Sequence, residues 1–339
     1  MTIMKKQTLS FVCLMVVGAL GVRAQTAKII LQHGDKATFF KSDQLQDAID
    51  ESEDGDVIYL NKGTFKCAKN KVKDSYDDSY YVEINKNISI IGAGANKTDI
   101  RNRIYVDNCR VVMEDLEFTF LKNIQNLESL SLTRCHSSSG LRFYGNDGLG
   151  TKHTILNLFV VQCQLKSIDF DYTMNAYDYT EGLAYGHVKN SIIEQVNCSY
   201  FTGEINFKNC NLGAWNDSSY GHSEERCVTI ENSIIHGIFS DKNYGIRAKS
   251  MTNCLYDRAL SGFTKSVINC WRVANLFDDN FNCTMTDEQM INAGYIGTDN
   301  TVVGINGGDF PFNNSSTRPN GDNYKIDIDP ETRKMTIKL

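Results

Sequence analysis

A four-residue word recurs along the middle of this chain: an apolar residue, any residue, usually Asn, then Cys or Ser. Its copies are Val106-Asp107-Asn108-Cys109, Leu132-Thr133-Arg134-Cys135, Val160-Val161-Gln162-Cys163, Val188-Lys189-Asn190-Ser191, Phe207-Lys208-Asn209-Cys210, Ile230-Glu231-Asn232-Ser233, Met251-Thr252-Asn253-Cys254 and Val267-Ile268-Asn269-Cys270. The first position is always apolar, and the fourth is always Cys or Ser. Successive fourth positions are 26, 28, 28, 19, 23, 21 and 16 residues apart. Such uneven spacing suits a coil with loops of variable length better than a helical repeat of fixed packing. Apolar residues on either side of the small one read as short strands broken by a bend. The Asn position fits that bend, because Asn enters the left-handed backbone region more readily than other non-glycine residues. One coil cannot bury its apolar edge alone, so turns must stack at about 4.8 Å per rung. The expectation is an all-β solenoid with Val106, Val160, Val188, Ile230 and Val267 in one interior column.

The ends read differently. Lys5 and Lys6, the apolar run Leu9 to Val22 and Val22-Arg23-Ala24 have the pattern of a secretory signal peptide, placed at residues 1–24. The apolar run is short for a membrane span, and no later stretch approaches the length a spanning helix needs. A solenoid body is expected over 25–285, and a closing segment with a terminal β-hairpin over 286–339. At the start of the body, Ser42 is placed to cap a short helix on which Leu45, Ala48 and Ile49 share a face. Gly55-Asp56 then turns the chain into Val57-Ile58-Tyr59-Leu60.

These residues, with Gly63-Thr64-Phe65 and Ile88-Ser89-Ile90-Ile91-Gly92-Ala93-Gly94, resemble the opening of the pectin-lyase-like superfamily. The run Gly294 to Asp299, with Gly304 to Phe312, is similar to the closing segment of exported β-helix proteins of Bacteroidota. The resemblance implies a single-stranded right-handed parallel β-helix. It does not imply one chemistry, because that fold carries lyases, hydrolases, esterases and proteins without known activity.

Charge narrows the partners. The chain has 35 basic and 41 acidic residues, a net charge of -6, and loss of Lys5, Lys6 and Arg23 with the leader would take it to about -9. Nucleic acid is an unfavourable partner for such a chain, since that affinity comes mainly from Lys and Arg neutralising phosphates. Cysteines in an exported protein ordinarily suggest disulfides. Here most share their position with Ser191 and Ser233, so the position selects a small buried side chain, and neighbouring rungs offer parallel Cβ vectors that suit a disulfide badly. Cys67, Cys198, Cys227 and Cys283 lie outside the word and are the disulfide candidates.

Long inserts rich in Tyr, Asp and Gly separate the words, and in a solenoid inserts at equivalent positions emerge on one side. Aromatic faces stack on sugar rings and carboxylates accept sugar hydroxyls, so a polysaccharide is the expected partner. Tyr144, Tyr185, Trp215 and Asp217 are the candidate substrate-binding residues. Asp169 and Asp171 alternate along a strand and face outward, and calcium is the candidate ion there, although a hard cation needs six or more oxygens. Arg247, Lys249 and His222 are the catalytic candidates, with Arg247 or Lys249 as base for β-elimination from an acidic sugar. Tyr220-Gly221-His222-Ser223 and Gly245-Ile246-Arg247-Ala248-Lys249 resemble two polygalacturonase motifs, but Ser223 replaces a glycine and no Asp pair stands upstream at the spacing that glycoside hydrolysis requires. Two readings therefore stand: a glycan-binding or glycan-cleaving protein, and a non-catalytic structural or adhesion protein of the cell envelope. They differ in whether the inserts converge on one face.

Overall fold

The computed structural model describes residues 28–67, 69–71, 80–123, 127–144, 155–171, 183–197, 202–216, 226–235, 248–252, 254–256, 265–268, 270–272, 325–328 and 335–338. The leader at 1–24 and most of the closing segment lie outside them. Two sheets of twelve strands make up the body. The first holds, in order, β2 (Lys36–Phe40), β1 (Ile29–His33), β3 (Val57–Leu60), β7 (Ile88–Ile91), β9 (Cys109–Glu114), β11 (Leu127–Thr133), β13 (Ile155–Val161), β15 (Leu183–Lys189), β17 (Thr202–Lys208), β19 (Arg226–Glu231), β21 (Ser250–Thr252) and β23 (Ser266–Ile268). The second runs from β24 (Trp271–Arg272) through β22 (Leu255–Tyr256), β20 (Ile234–Ile235), β18 (Asn211–Asn216), β16 (Ile192–Asn197), β14 (Gln164–Asp171), β12 (His136–Tyr144), β10 (Glu117–Asn123), β8 (Thr98–Val106) and β6 (Tyr80–Ile84) to β5 (Asn70–Lys71), with β4 (Gly63–Phe65) beside β8. From β7 onward every pairing in both sheets is parallel, and the chain passes alternately from one sheet to the other. This arrangement is compatible with an all-β solenoid. A separate antiparallel hairpin joins β25 (Lys325–Ile328) and β26 (Met335–Lys338).

Register explains the apolar position of the word. Leu31, Ile58, Ile90, Met113, Leu132, Val160, Val188, Phe207, Ile230 and Met251 follow one another across the first sheet, and all are buried. Val267 continues the register at 43% exposure. Val82, Ile104, Leu121, Leu141, Ile168 and Val196 form the facing column of the second sheet, fully buried. Each such side chain contributes about 1.5–3 kcal/mol on burial. Val106 departs from expectation: it lies in β8 of the second sheet, paired with Ile84 and Asn123. Its word turns the chain in the opposite sense, from the second sheet to the first. The column member in its place is Met113, in Met113-Glu114-Asp115-Leu116, which the word misses because Leu fills the Cys/Ser position.

From β9 on, the crossing from first to second sheet always takes two residues, from 115–116 to 269–270. Asp115, Arg134, Gln162, Asn190, Asn209 and Asn232 take the first place with φ between 48° and 57°. Their N–H groups still donate to the next rung, for example Arg134 to Val161 O at 3.0 Å and Asn190 to Lys208 O at 3.0 Å. The bend therefore demands the left-handed conformation, which Asn tolerates best and which Arg134 and Gln162 accept as well. One amide link joins successive rungs, Asn209 Nδ2 to Asn190 Oδ1 at 3.0 Å. At the first rungs, Arg134 instead grips both Asp115 carboxylate oxygens, at 2.7 and 2.6 Å.

The second corner residue accounts for the Cys/Ser choice. Its own N–H finds the side chain of the same position one rung on: Cys135 N to Cys163 Sγ at 3.4 Å, Cys163 N to Ser191 Oγ at 3.1 Å, Cys210 N to Ser233 Oγ at 3.1 Å and Cys254 N to Cys270 Sγ at 3.4 Å. That side chain in turn donates to the carbonyl two residues before it, as Ser191 Oγ to Lys189 O at 2.8 Å and Cys163 Sγ to Val161 O at 3.3 Å. The position thus needs a small buried group that both donates and accepts. Cys109, Cys135, Cys163, Cys210, Cys254 and Cys270 are free thiols. Cys67 is free and buried as well, contrary to its choice as a disulfide candidate. Its peptide is bracketed by the buried Asn102 amide, which accepts from Cys67 N and donates to Cys67 O at 3.2 Å. Cys198 and Cys283 lie outside the described residues, and Cys227 is described only in its backbone.

The helix α1 (Leu45–Glu51) closes the start of the stack with Leu45, Ala48 and Ile49 buried. Gln44, not Ser42, precedes its first turn, and no side chain caps it. Its other end is satisfied by Lys86, whose ammonium donates to Ile49 O, Asp50 O and Ser52 O at 3.2, 2.6 and 2.6 Å.

Candidate ligand-binding edge

The two kinds of crossing make two unlike edges. Every crossing from first to second sheet after β9 is the two-residue corner. The returns from β10, β12, β14, β16, β18, β20 and β22 to the first sheet use residues 124–126, 145–154, 172–182, 198–201, 217–225, 236–249 and 257–265. All the variable length of this part of the chain therefore leaves the ends of second-sheet strands and re-enters at the starts of first-sheet strands. Before β9 the corner edge carries one longer crossing, residues 92–97 between β7 and β8.

The candidate residues fall on this return edge. Tyr144 and Asp171 are the last residues of β12 and β14 and stand in register with each other. Asp169 lies one outward position earlier, in a row with Lys122, Arg142, Asn197 and Asn216. Its carboxylate accepts from Ser167 Oγ at 2.9 Å and sits 3.9 Å from Arg142 Nε. Tyr185 is on the first sheet near the start of β15, 50% exposed. Lys249 is exposed at the end of the return to β21, its N–H donating to Val228 O at 2.7 Å. Asp217, His222 and Arg247 lie outside the described residues, on returns whose described strand ends are at this edge. Trp215 stands in register with Val196, in the row that continues to the buried Ile168 and Leu141.

Among the described residues no three His, Cys, Asp or Glu side chains group together. The Asp169 carboxylate is turned to Ser167 and Arg142, where a hard cation would need six or more oxygens.

Two surface groups escaped the sequence reading. On the outer face of the second sheet, Tyr81 packs edge-to-face on Tyr105 with centroids 4.9 Å apart, Lys122 lies over Tyr105 and Arg142 over Phe120, each 5.9 Å from the ring centroid. Loss of solvent, with Glu83 beside it, raises the Tyr81 phenol above its ordinary range. On the outer face of the first sheet, Phe159 stacks on His187 with centroids 6.0 Å apart and planes 27° apart. Strand alternation would have found the second group: the residues one and three before Val160 and Val188 face outward, and they include Phe159, His187 and Tyr185. No helix among the described residues is long and apolar enough to cross a membrane. Comparison of the chain with protein-family models, curated proteins and solved structures finds no match.

Proposed function

We propose that this chain is an exported protein of the pectin-lyase-like kind that binds a polysaccharide along its return edge. The observation that carries the reading is the segregation of the inserts from β9 on: seven returns of variable length on one edge and two-residue corners on the other. A spacer needs no such asymmetry, whereas a long ligand needs a row of variable loops on a rigid frame. We take the coil to be right-handed, because crossovers between parallel strands of one sheet are right-handed in nearly all proteins. Tyr185, exposed at this edge, is the stacking residue in this reading. Trp215, the last residue but one of β18, is the other stacking candidate. Arg247 and Lys249, on the 236–249 return, are the bases to test should turnover accompany binding.

A glycan array probed with the purified protein, with and without calcium, tests the proposal. Binding of a polysaccharide class, weakened by Tyr185→Ser, is the expected result. Absence of binding to every glycan, with the fold intact, would leave the structural or adhesion reading in its place.

A further inference from the structure

On the outer face of the first sheet, β13, β15 and β17 present a grid of outward side chains between the return edge and the corner edge. One row is Asn157, Tyr185 and Glu204, and the next is Phe159, His187 and Asn206. Phe159 is 40% and Tyr185 50% exposed, and Phe159 and His187 lie in nearly parallel planes. Along the Phe159 row the outward positions on either side are small and polar, Ser131 before it and Thr229, Ser250 and Ser266 beyond Asn206.

Asn157, Glu204 and Asn206 border the rings with acceptor oxygens, and the exposed Lys189 stands in the next outward row. Asn157 Nδ2 is directed to Glu128 O at 3.5 Å, and Asn206 Nδ2 donates to Thr229 Oγ1 at 2.7 Å, so each amide has its nitrogen engaged and its carbonyl oxygen as acceptor. Glu204 is exposed, and no ion pair engages its carboxylate among the described residues. Stacked rings flanked by acceptors suit a ligand with an apolar C–H face and a rim of hydroxyl donors. A sugar carboxylate would instead face Glu204 across a short gap, which like charges disfavour.

We propose that Phe159, Tyr185 and His187 form a stacking subsite for a neutral hexopyranose unit, with Asn157, Glu204 and Asn206 accepting its hydroxyls. The inference rests on the polysaccharide reading above and names the sugar class taken at the middle of the stack. Gly186 lies between Tyr185 and His187 on the inward side, where an added Cβ would meet Ile205 Cγ1 at 3.2 Å. The strand carrying two of the rings is thereby packed closely on its neighbour.

Affinity electrophoresis in gels of neutral β-glucan, xylan or galactomannan, and separately of polygalacturonate, tests it. Retardation by a neutral glycan should weaken about tenfold or more in Phe159→Ser and in Tyr185→Ser. Thermal unfolding should be unchanged, since both side chains face solvent. Glu204→Gln, which exchanges a charged acceptor for a neutral one, should weaken neutral binding by a smaller factor than either serine variant. Neutral binding unchanged in both serine variants would overturn the subsite while leaving the polysaccharide reading intact. Binding of polygalacturonate alone would overturn the neutral class, and no binding by the native protein would overturn both. Should either variant unfold, hydrogen exchange of the native protein decides: neutral glycan must protect β13 and β15. Sedimentation showing a dimer that Phe159→Ser dissociates would make the patch a protein interface and overturn the proposal.

Discussion

The corner column makes a sharp prediction at Cys163. Its Sγ accepts from Cys135 N at 3.4 Å and donates to Val161 O at 3.3 Å, inside a fully buried site. Cys163→Ala removes one heavy atom from the core, worth about 0.8 kcal/mol by transfer. It also leaves the Cys135 N–H buried without its acceptor, which costs about 1–3 kcal/mol. The expected loss is therefore about 2–4 kcal/mol. Cys163→Ser restores a donor and an acceptor in the arrangement that Ser191 and Ser233 already use, so its loss should stay below about 1 kcal/mol. Urea denaturation of the two variants beside the native protein, followed by far-UV circular dichroism, measures the difference. Equal losses for Ala and Ser would mean that the position selects volume alone. A neutral Ala variant would mean that the column of bonds contributes nothing.

Other consequences follow from the same corners. Burial raises the Cys109 thiol to about 11 and the Cys210 thiol to about 12, against 9.0 ordinarily. An unfolded chain ionises these thiols first, so stability should hold below about pH 9 and fall through pH 9 to 12 by about 1.4 kcal/mol per pH unit per thiol; a urea midpoint series over pH, with Cys210→Ser showing a shallower fall, checks the sign. Asn209 sits at φ 54°, so Asn209→Val should destabilise by about 1–2 kcal/mol and Asn209→Gly far less in thermal melts. Gly140 combines φ 88° with a Cβ position 2.4 Å from Ser167 O; Gly140→Ala should lower stability by more than about 2 kcal/mol. Thiol titration of the denatured protein without reductant should find at least the seven free cysteines, and a lower count would show that some of them form disulfides.

Most of the frame was legible because the corner imposes a chemical pattern on the sequence. Interior position, left-handed bend and small donor-acceptor group recur as one word, and from Leu132 to Met251 each copy marks a crossing. The word failed where another residue met the same demand: Asp115-Leu116 bends like Asn-Cys but fills the second place with a buried Leu. It also failed where two-residue bends occur at both edges, so that Val106 entered the wrong sheet. Capping was less legible, because the helix start depends on Gln44 backbone geometry and its end on Lys86, 35 residues beyond Glu51 in the chain. Of the candidate site, its edge followed from where the inserts lie, but its chemistry did not. Phe159 and His187 were passed over inside strands, where alternation rather than composition marks an outward ring.

Hydrogen exchange of the protein in the free state and with its polysaccharide bound tests the central assignment most directly. The account predicts slowed exchange at the ends of β12, β14 and β16 and at the starts of β15 and β17, where the returns leave and re-enter the sheets. It predicts no change at the corners from Asp115 to Ser233. Protection centred on those corners, with the return edge unaffected, would contradict it.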